Sequence, residues 1–289
     1  MKTLQKNRTP HGLTLIELVV VMAILAVIAM MVVPRLDFLK GQAEHASSAN
    51  SQADAAAMIQ TFKSSSGKYP TLDTLIGTDN AVLTKLQTQT ALANLDATTI
   101  PVSGGERWYG SFSDGGFTYG YQHNQSASDA SASATNAVDL VNQISDGSIK
   151  LATLKASGTS SQGTAIRTAL FPGGATYITP DPDGPDNDIL TTADNIVGGW
   201  TQVPAGTIPA TSMIVVFGIG PKSNLVGNVM QSAPISYAGS DEPTTTYCRY
   251  LAFFEIFSDG KPAKLRMVTD HRMRQISGRV DQYRQQGAL

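Results

Sequence analysis

Apolar residues form one uninterrupted block near the start of the chain and become periodic after it. All sixteen residues from 18 to 33 are apolar, whereas residues 1–12 are mostly polar or basic. Between Leu39 and Phe62, apolar or small residues recur at three- and four-residue steps, which places them on one face of a helix. We therefore predict one long helix over residues 13–63, apolar on all sides in its first half and amphipathic in its second.

The rest of the chain alternates short apolar runs with turns rich in Gly, Ser and Asp. The strongest strand predictions are residues 212–218 and 247–257, and a turn at 258–261 predicts that residues 263–269 form a hairpin with the second. The weaker predictions are helices at 81–95 and 138–156, an aromatic hairpin with strands 107–112 and 117–121, a loop at 126–135 and a polar surface tail at 272–289. A helix followed by strands predicts an α+β fold, in which the long N-terminal helix packs on a C-terminal antiparallel sheet.

The apolar block is long enough to cross a membrane. Residues 13–34 would form about 33 Å of helix at about 1.5 Å per residue, and a hydrocarbon core is roughly 30 Å thick. Lys2, Lys6 and Arg8 precede the block, and no acidic residue accompanies them. Because basic flanks resist translocation, we predict a cytoplasmic N-terminus and an exported remainder.

Glu17 is the one charged residue inside this block. A carboxylate at membrane depth costs on the order of 2.5–3.5 kcal/mol on insertion scales, so such a residue is expected to have a function and a partner. A plain signal anchor and a cleavable secretory signal peptide are both alternatives for the segment. Neither of them accounts for Glu17.

The segment Gly12-Leu13-Thr14-Leu15-Ile16-Glu17-Leu18 resembles the class III signal of type IV pilins and type II secretion pseudopilins. The resemblance implies that a prepilin peptidase cleaves between Gly12 and Leu13 and then methylates the new N-terminus at Leu13. Glu17 becomes the fifth mature residue, and Pro34 the twenty-second, where the family commonly carries a helix-kinking proline. Leu13 departs from the family pattern, which prefers Phe at the first mature position.

The resemblance also implies a role for the new N-terminus. In a filament, Glu17 of one subunit would meet the positive α-amine of Leu13 in a neighbour and thereby fix the axial register. Truncating Glu17 would then leave an uncompensated buried charge. The alternative is that Glu17 pairs with the amine of its own chain. The implied partners are the prepilin peptidase, further copies and other pseudopilins, the inner-membrane assembly platform and the membrane itself. The implied location is the bacterial inner membrane, followed by a filament in the periplasm or at the cell surface.

A second motif favours one branch of this family. Residues 67–71, Gly-Lys-Tyr-Pro-Thr, resemble the GxYP(T) segment that follows the helix in major, G-type pseudopilins, although alone they indicate only a turn. Cys248 is the only cysteine, so the disulfide common in type IV pilins cannot form. We therefore favour a type II secretion pseudopilin that supports protein export. A major or minor subunit of a surface type IV pilus is the alternative. The implied organisation is a leader at 1–12, a helix at 13–66 and an exported domain at 67–289, with an insertion at about 81–210.

An acidic loop in the exported part suggests a metal site. Asp181, Asp183, Asp186 and Asp188 lie within eight residues around Gly184. Calcium prefers six to eight oxygen ligands, so this loop predicts a calcium site. The glycine comes too early for an EF-hand, and no glutamate stands at the twelfth position. A metal-free, solvated turn is the alternative.

Composition narrows the function further. The chain carries 21 basic and 23 acidic residues and a net charge of −2, so no basic surplus predicts nucleic-acid binding. Its four histidines have no zinc spacing, and no nucleophile elbow or phosphate-binding loop is present. We therefore predict a structural subunit and not an enzyme. A membrane-anchored calcium-binding or hydrolytic domain is the alternative from a different class. The predicted surface residues are His271 and the basic residues Arg266, Arg272, Arg274, Arg279 and Arg284, and Cys248 is predicted to be buried.

Overall fold

The structure is a computed structural model. It describes residues 14–76, 92–102, 107–123, 133–147, 149–158, 160–173, 176–178, 196–197, 200–202, 204–236 and 241–276, with the backbone alone for 32–45, 123, 133–136 and the pieces between 176 and 202. The chain divides into two compact units, residues 1–44 and residues 45–289. The described part of the first unit belongs to a helix, and the second unit contains the end of that helix and all the strands.

The described helices and strands follow in this order. The α-helices are α1 (Leu15–Ser66), α2 (Trp108–Asp114), α3 (Leu140–Ser145) and α4 (Ser161–Leu170), and a 3-10 turn covers Leu92–Asn94. The strands are β1 (Leu72–Asp73), β2 (Leu95–Thr98), β3 (Tyr119–His123), β4 (Ser133–Asp139), β5 (Leu151–Leu154), β6 (Thr176–Ile178), β7 (Ile196–Val197), β8 (Trp200–Gln202), β9 (Ser212–Gly218), β10 (Leu251–Phe257) and β11 (Lys264–Thr269). The long helix and strands β9, β10 and β11 confirm the corresponding predictions.

The main sheet is mixed, so the prediction of an antiparallel sheet is wrong in one respect. Strands β11, β10 and β9 pair antiparallel in that order. The other edge of β9 pairs antiparallel with both β1 and β5, and β1 pairs parallel with β3. Strands β4 and β2 extend the sheet beyond β3 and β5, while β6, β8 and β7 form a separate three-stranded sheet. The parallel pair is accommodated because a long connection containing α2 separates β1 from β3.

Two sequence predictions between residues 107 and 156 are wrong. Residues 107–112 were expected to be a strand but belong mainly to α2, because Trp108, Ser111 and Phe112 have helical spacing and bury one face. Residues 138–156 were expected to be a helix but contain the end of β4, then α3, then β5. Gly147 adopts φ 72 after α3 and ends it, since a left-handed residue cannot continue a helix.

Other predictions fall partly on residues outside the described ranges. Of the helix predicted at 81–95, residues 92–94 form a 3-10 turn and Leu95 begins β2, while the remainder lies outside the description. Of the loop predicted at 126–135, residues 133–135 belong to β4 and the rest lies outside. Of the tail predicted at 272–289, only residues up to 276 are described, and Met273 is buried there.

Both faces of the central strands are buried. In β10, Ala252 and Phe254 join one apolar cluster, which also contains Ile59 of α1 and Phe112 of α2. Phe253 joins the opposite cluster, which is built partly from β2, β5 and α4. Because successive side chains of a strand point to opposite faces, burial on both sides explains why β10 is a continuous apolar run. Within the predicted insertion, α2 and α3 therefore lie on the same face of the sheet as α1, whereas α4 covers the opposite face.

The second half of α1 contacts the sheet through polar groups as well as apolar ones. Ser48 Oγ lies 3.0 Å from Tyr250 Oη, which also donates to the Ser48 carbonyl at 3.1 Å. Gln52 Nε2 donates to the carbonyl of Val268, on β11, at 2.8 Å. These bonds fix the helix along β10 and β11, because buried polar groups need specific partners.

The Gly-Lys-Tyr-Pro segment connects the end of α1 to the sheet edge. Gly67 has φ 73, and its N–H donates to the Lys63 carbonyl at 2.9 Å, which ends the helix. Tyr69 Oη donates to the Ala263 carbonyl at 3.3 Å and accepts from Leu265 N at 3.2 Å. Burial raises the pKa of Tyr69, so this phenol remains a donor. Together with Gln52, it satisfies backbone groups of the edge strand β11 that would otherwise be open to another chain.

Candidate functional site

The helix start holds Glu17 in a reciprocal cap. Glu17 Oε2 accepts from Thr14 N at 2.8 Å and from Thr14 Oγ1 at 2.9 Å. In return, Glu17 N donates to Thr14 Oγ1 at 3.3 Å. Thr14 stands immediately before α1, and this exchange is the capping box that a Thr-x-x-Glu sequence favours. The carboxylate therefore has a fixed position on the first turn.

An apolar surface surrounds this carboxylate. All thirteen Leu, Ile, Val and Met residues between Leu15 and Met31 are exposed, from 47% at Val21 to 82% at Met30. An exposed apolar surface of this size in a folded protein indicates contact with a membrane or with other proteins. Glu17 is the single charged group on it.

The other predicted residues of this region are only partly described. The backbone of α1 stays helical through Pro34, but nothing is described of that side chain, and the kink remains a prediction. Gly12 and Leu13, the predicted cleavage and methylation positions, lie outside the described residues.

One comparison identifies this segment. Residues 7–33 match the family model of the prokaryotic N-terminal methylation motif. The match is consistent with a class III prepilin signal and fits type IV pilin-like proteins generally. It implies membrane-associated origin, processing by a prepilin peptidase and assembly with other pilin-like subunits. No curated protein and no solved structure matches the chain.

Within the part of the chain that the structure describes, no helix combines the length and the apolarity that a membrane crossing requires.

The predicted calcium ligands lie outside the described residues. These are Asp181, Asp183, Asp186 and Asp188, so the calcium site remains a prediction. Among the residues that the structure does describe, no group of three or more His, Cys, Asp or Glu side chains is placed to hold a metal ion.

The prediction that His271 lies at the surface is wrong. The residue is only 1% exposed, and its Nε2 lies 2.7 Å from Asp241 Oδ2. Asp241 also accepts from Arg272 Nε at 2.6 Å, and these two partners hold the pKa of its carboxyl below the usual value. Burial lowers the pKa of His271 despite the nearby carboxylates. The sequence could not reveal this contact, because thirty residues separate its partners.

The basic run near the C-terminus was predicted to be a solvated face. Arg266 and Arg272 are exposed, as predicted, and Arg274 is half-buried. All three also pair with carboxylates of the same chain: Arg266 with Glu255 at 2.8 Å, Arg272 with Asp241 at 2.6 Å and Arg274 with Asp270 at 2.8 Å. Burial of the carboxylates explains these pairs, since Glu255 and Asp270 need a charged partner away from water. Arg279 and Arg284 lie outside the described residues. Cys248 is fully buried, as predicted.

Sequence reasoning missed the part that Thr14 plays. The Thr-x-x-Glu spacing at the start of an apolar helix was a sufficient signal for the cap.

Proposed function

We propose that this chain is a prepilin, cleaved after Gly12 and N-methylated at Leu13, that assembles into the periplasmic pseudopilus of a type II secretion system. In this proposal the chain has a mechanical role in protein export and catalyses no reaction. The observation that carries the proposal is the exposed apolar start of α1, which presents one fixed carboxylate and coincides with the methylation motif.

The exposed surface requires an apolar environment. Burying one Val, Leu, Ile or Met side chain stabilises a protein by about 1.5–3 kcal/mol, and thirteen of them are exposed here. Lipid and the α1 helices of other subunits both offer such an environment. We propose that the helix occupies the inner membrane first, with a cytoplasmic N-terminus, and a filament core later.

The second unit has a core of its own, which supports separate roles for the start of α1 and for the exported domain. Among the described residues, its buried core begins at Ser48 on α1 and includes both faces of the sheet. The exposed start of α1 belongs to the first unit, and we propose that it makes contacts with other molecules. The assembly platform of the inner membrane and other pseudopilins are the partners that we propose for it.

Two features favour a pseudopilus over a surface pilus. The segment at residues 67–71 resembles the GxYP(T) segment that follows the helix in G-type pseudopilins, and here it follows α1 and contacts β11 through Tyr69. The single cysteine excludes the disulfide that is common in type IV pilins.

The first experiment determines the mature N-terminus. The full chain is expressed with and without a prepilin peptidase, and the N-terminal residue and its mass are measured in membrane fractions. We expect a methylated Leu13 only when the peptidase is present, and no cleavage of a Gly12→Val variant. A product that starts at Met1 or Met30 in the presence of the peptidase would contradict the proposal and favour an anchored or secreted domain.

The second experiment distinguishes the two filaments. The gene is deleted in its natural host, and exported proteins are assayed in the medium together with surface filaments. Loss of secretion with surface filaments unchanged supports the pseudopilus. Loss of surface filaments with secretion unchanged would replace it by a type IV pilus subunit.

A further inference from the structure

The Asp241–His271 contact joins two parts of the chain that are distant in sequence. His271 belongs to a turn after β11, and Asp241 lies in residues 241–248, here called the clamp segment, which leads towards β10. The base of this segment is fixed to the preceding chain, because Ser236 N donates to the Cys248 carbonyl at 2.9 Å. Its far end is fixed by Asp241, which accepts from both His271 and Arg272.

The turn that carries His271 is itself held rigidly. Asp270 accepts from Arg274 N at 2.6 Å and from Arg274 Nε at 2.8 Å. Met273 is buried and adopts φ 56, which few non-glycine residues do. The backbone on both sides of His271 is therefore held by contacts that do not involve the imidazole.

The imidazole is arranged for its neutral form. A carboxylate accepts hydrogen bonds and cannot donate them, so Nε2 of His271 carries the proton that Asp241 receives. The second ring nitrogen, Nδ1, is buried and has no hydrogen-bond partner among the described residues. Protonation would add an N–H at Nδ1, which has no acceptor among the described residues, and would place a positive charge in a buried position.

The charged groups around His271 oppose one another. Asp241 from the clamp segment and Asp270 from its own turn favour the imidazolium, whereas Arg272 and burial disfavour it. Burial is the largest of these effects, and the pKa of His271 is lowered. The thiol of Cys248 is close enough to Arg272 to influence its guanidinium electrostatically.

We propose that His271 and Asp241 form a pH-sensitive clamp, which holds the clamp segment against the C-terminal turn above neutral pH and releases it when the imidazole is protonated. The direction of the pH effect follows from the coupling between proton binding and opening. Because the closed state depresses the affinity of His271 for a proton, acid favours the open state, starting near the ordinary pKa of about 6.5. Asp241 remains ionised in that range. The device does not depend on the proposed function.

Cys248 reports the opening, since it is the only cysteine and is fully buried at the base of the clamp segment. The full-length protein in detergent micelles is treated with dithiodipyridine, which reacts with thiols in mild acid. The rate is divided by that of the denatured protein at the same pH. We expect this ratio to rise from about pH 7.5 to about pH 5.5, by up to about tenfold, because an exposed imidazole is about nine-tenths protonated at the lower pH and the buried one binds a proton less readily.

The matched variants are His271→Gln and His123→Gln. Glutamine at 271 still offers an N–H to Asp241 but does not titrate, so the ratio should be independent of pH, while the variant at 123 should behave as the unaltered protein. A flat ratio in the unaltered protein, or an equal rise in His271→Gln, overturns the proposal. A second readout is the NMR titration of His271 in the unaltered protein. An apparent pKa below about 6.5 supports the clamp, and one at or above that value overturns it.

Discussion

Thr14 and Glu17 cap the first turn of α1 by exchanging hydrogen bonds in both directions. Every described contact of the Glu17 carboxylate uses Oε2, and Oε1 has no partner among the described residues. The cap therefore orients the carboxylate on the helix surface and leaves one oxygen for a positive group. In the proposed filament, capping by Thr14 and pairing with a neighbouring amine are compatible.

The charge and the capping role of Glu17 can be separated by substitution. Glu17→Gln keeps an acceptor for Thr14 but removes the charge, whereas Glu17→Ala removes both. If the charge pairs with an amine, both variants should be cleaved normally, and both should lose filament yield by at least about tenfold, because an amine would remain unpaired in an apolar core.

Processing is measured by the mass of the N-terminus, and assembly by the yield of sedimented filaments. Glu17→Asp serves as the control that keeps the charge on a shorter side chain. Filament formation by Glu17→Gln at the unaltered level would show that the cap, and not the charge, is the contribution of this residue.

Thr14 is expected to stabilise the first turn by itself. Thr14→Ala removes the hydroxyl that accepts from Glu17 N, whereas Thr14→Ser keeps it. We expect backbone hydrogen exchange at Glu17 and Leu18 to accelerate by about two- to thirtyfold in the alanine variant, the range for loss of an N-cap. Exchange is measured by NMR in micelles. Equal acceleration in the serine variant would mean that the hydroxyl is not the stabilising group.

The elements that the sequence predicts correctly are those with strong local signals. The apolar block and its periodic extension predict α1, and apolar runs beside Asp-Gly turns predict β10 and β11. The strand prediction for residues 107–112 is wrong because aromatic residues favour strands locally, while burial of Trp108 and Phe112 against the sheet favours a helix. The secondary structure of such segments is determined by tertiary contacts.

The candidate site shows the same distinction. Glu17 could be chosen as a candidate because a lone charge in an apolar helix is a local anomaly, and it lies within the matched methylation motif. His271 was not predictable, since its burial depends on Asp241, thirty residues earlier. Neighbouring arginines gave the turn a polar sequence that is typical of a surface.

The acidic loop gives a prediction about calcium. Replacing Asp181 and Asp183 together by Ala removes two of the four proposed ligands. In the unaltered protein we expect calcium at a hundredfold excess over its Kd to raise the Tm by about 5–10 °C, and in the double variant this rise should be lost.

The control is Asp54→Ala, which removes an exposed carboxylate of α1 and should keep the full response to calcium. Thermal unfolding is recorded with calcium and with a chelator. An equal response of the unaltered protein and the double variant would remove the metal site and leave a solvated acidic turn.

Gly218 lies where the hydroxyl of Tyr247 occupies the space of a side chain. A Cβ at position 218 would overlap with Tyr247 Oη and would lie 3.0 Å from Leu75. Tyr247 is fully buried and donates to Asp73 Oδ2 at 3.3 Å, so its hydroxyl cannot easily move away. We expect Gly218→Ala to lower the free energy of unfolding by about 1–3 kcal/mol, the usual cost of overpacking.

A double-mutant cycle tests this cause. Tyr247→Phe alone should lower the free energy of unfolding by about 0.5–1.5 kcal/mol through the lost hydrogen bond. The double variant with Gly218→Ala should lose less unfolding free energy than the two single variants together, because the overlapping oxygen is absent. Tyr250→Phe removes the hydroxyl that contacts Ser48 instead, so it should combine additively with Gly218→Ala. Denaturant unfolding supplies the free energies, and an additive result for Gly218→Ala with Tyr247→Phe would show that the hydroxyl is not what requires glycine at this position.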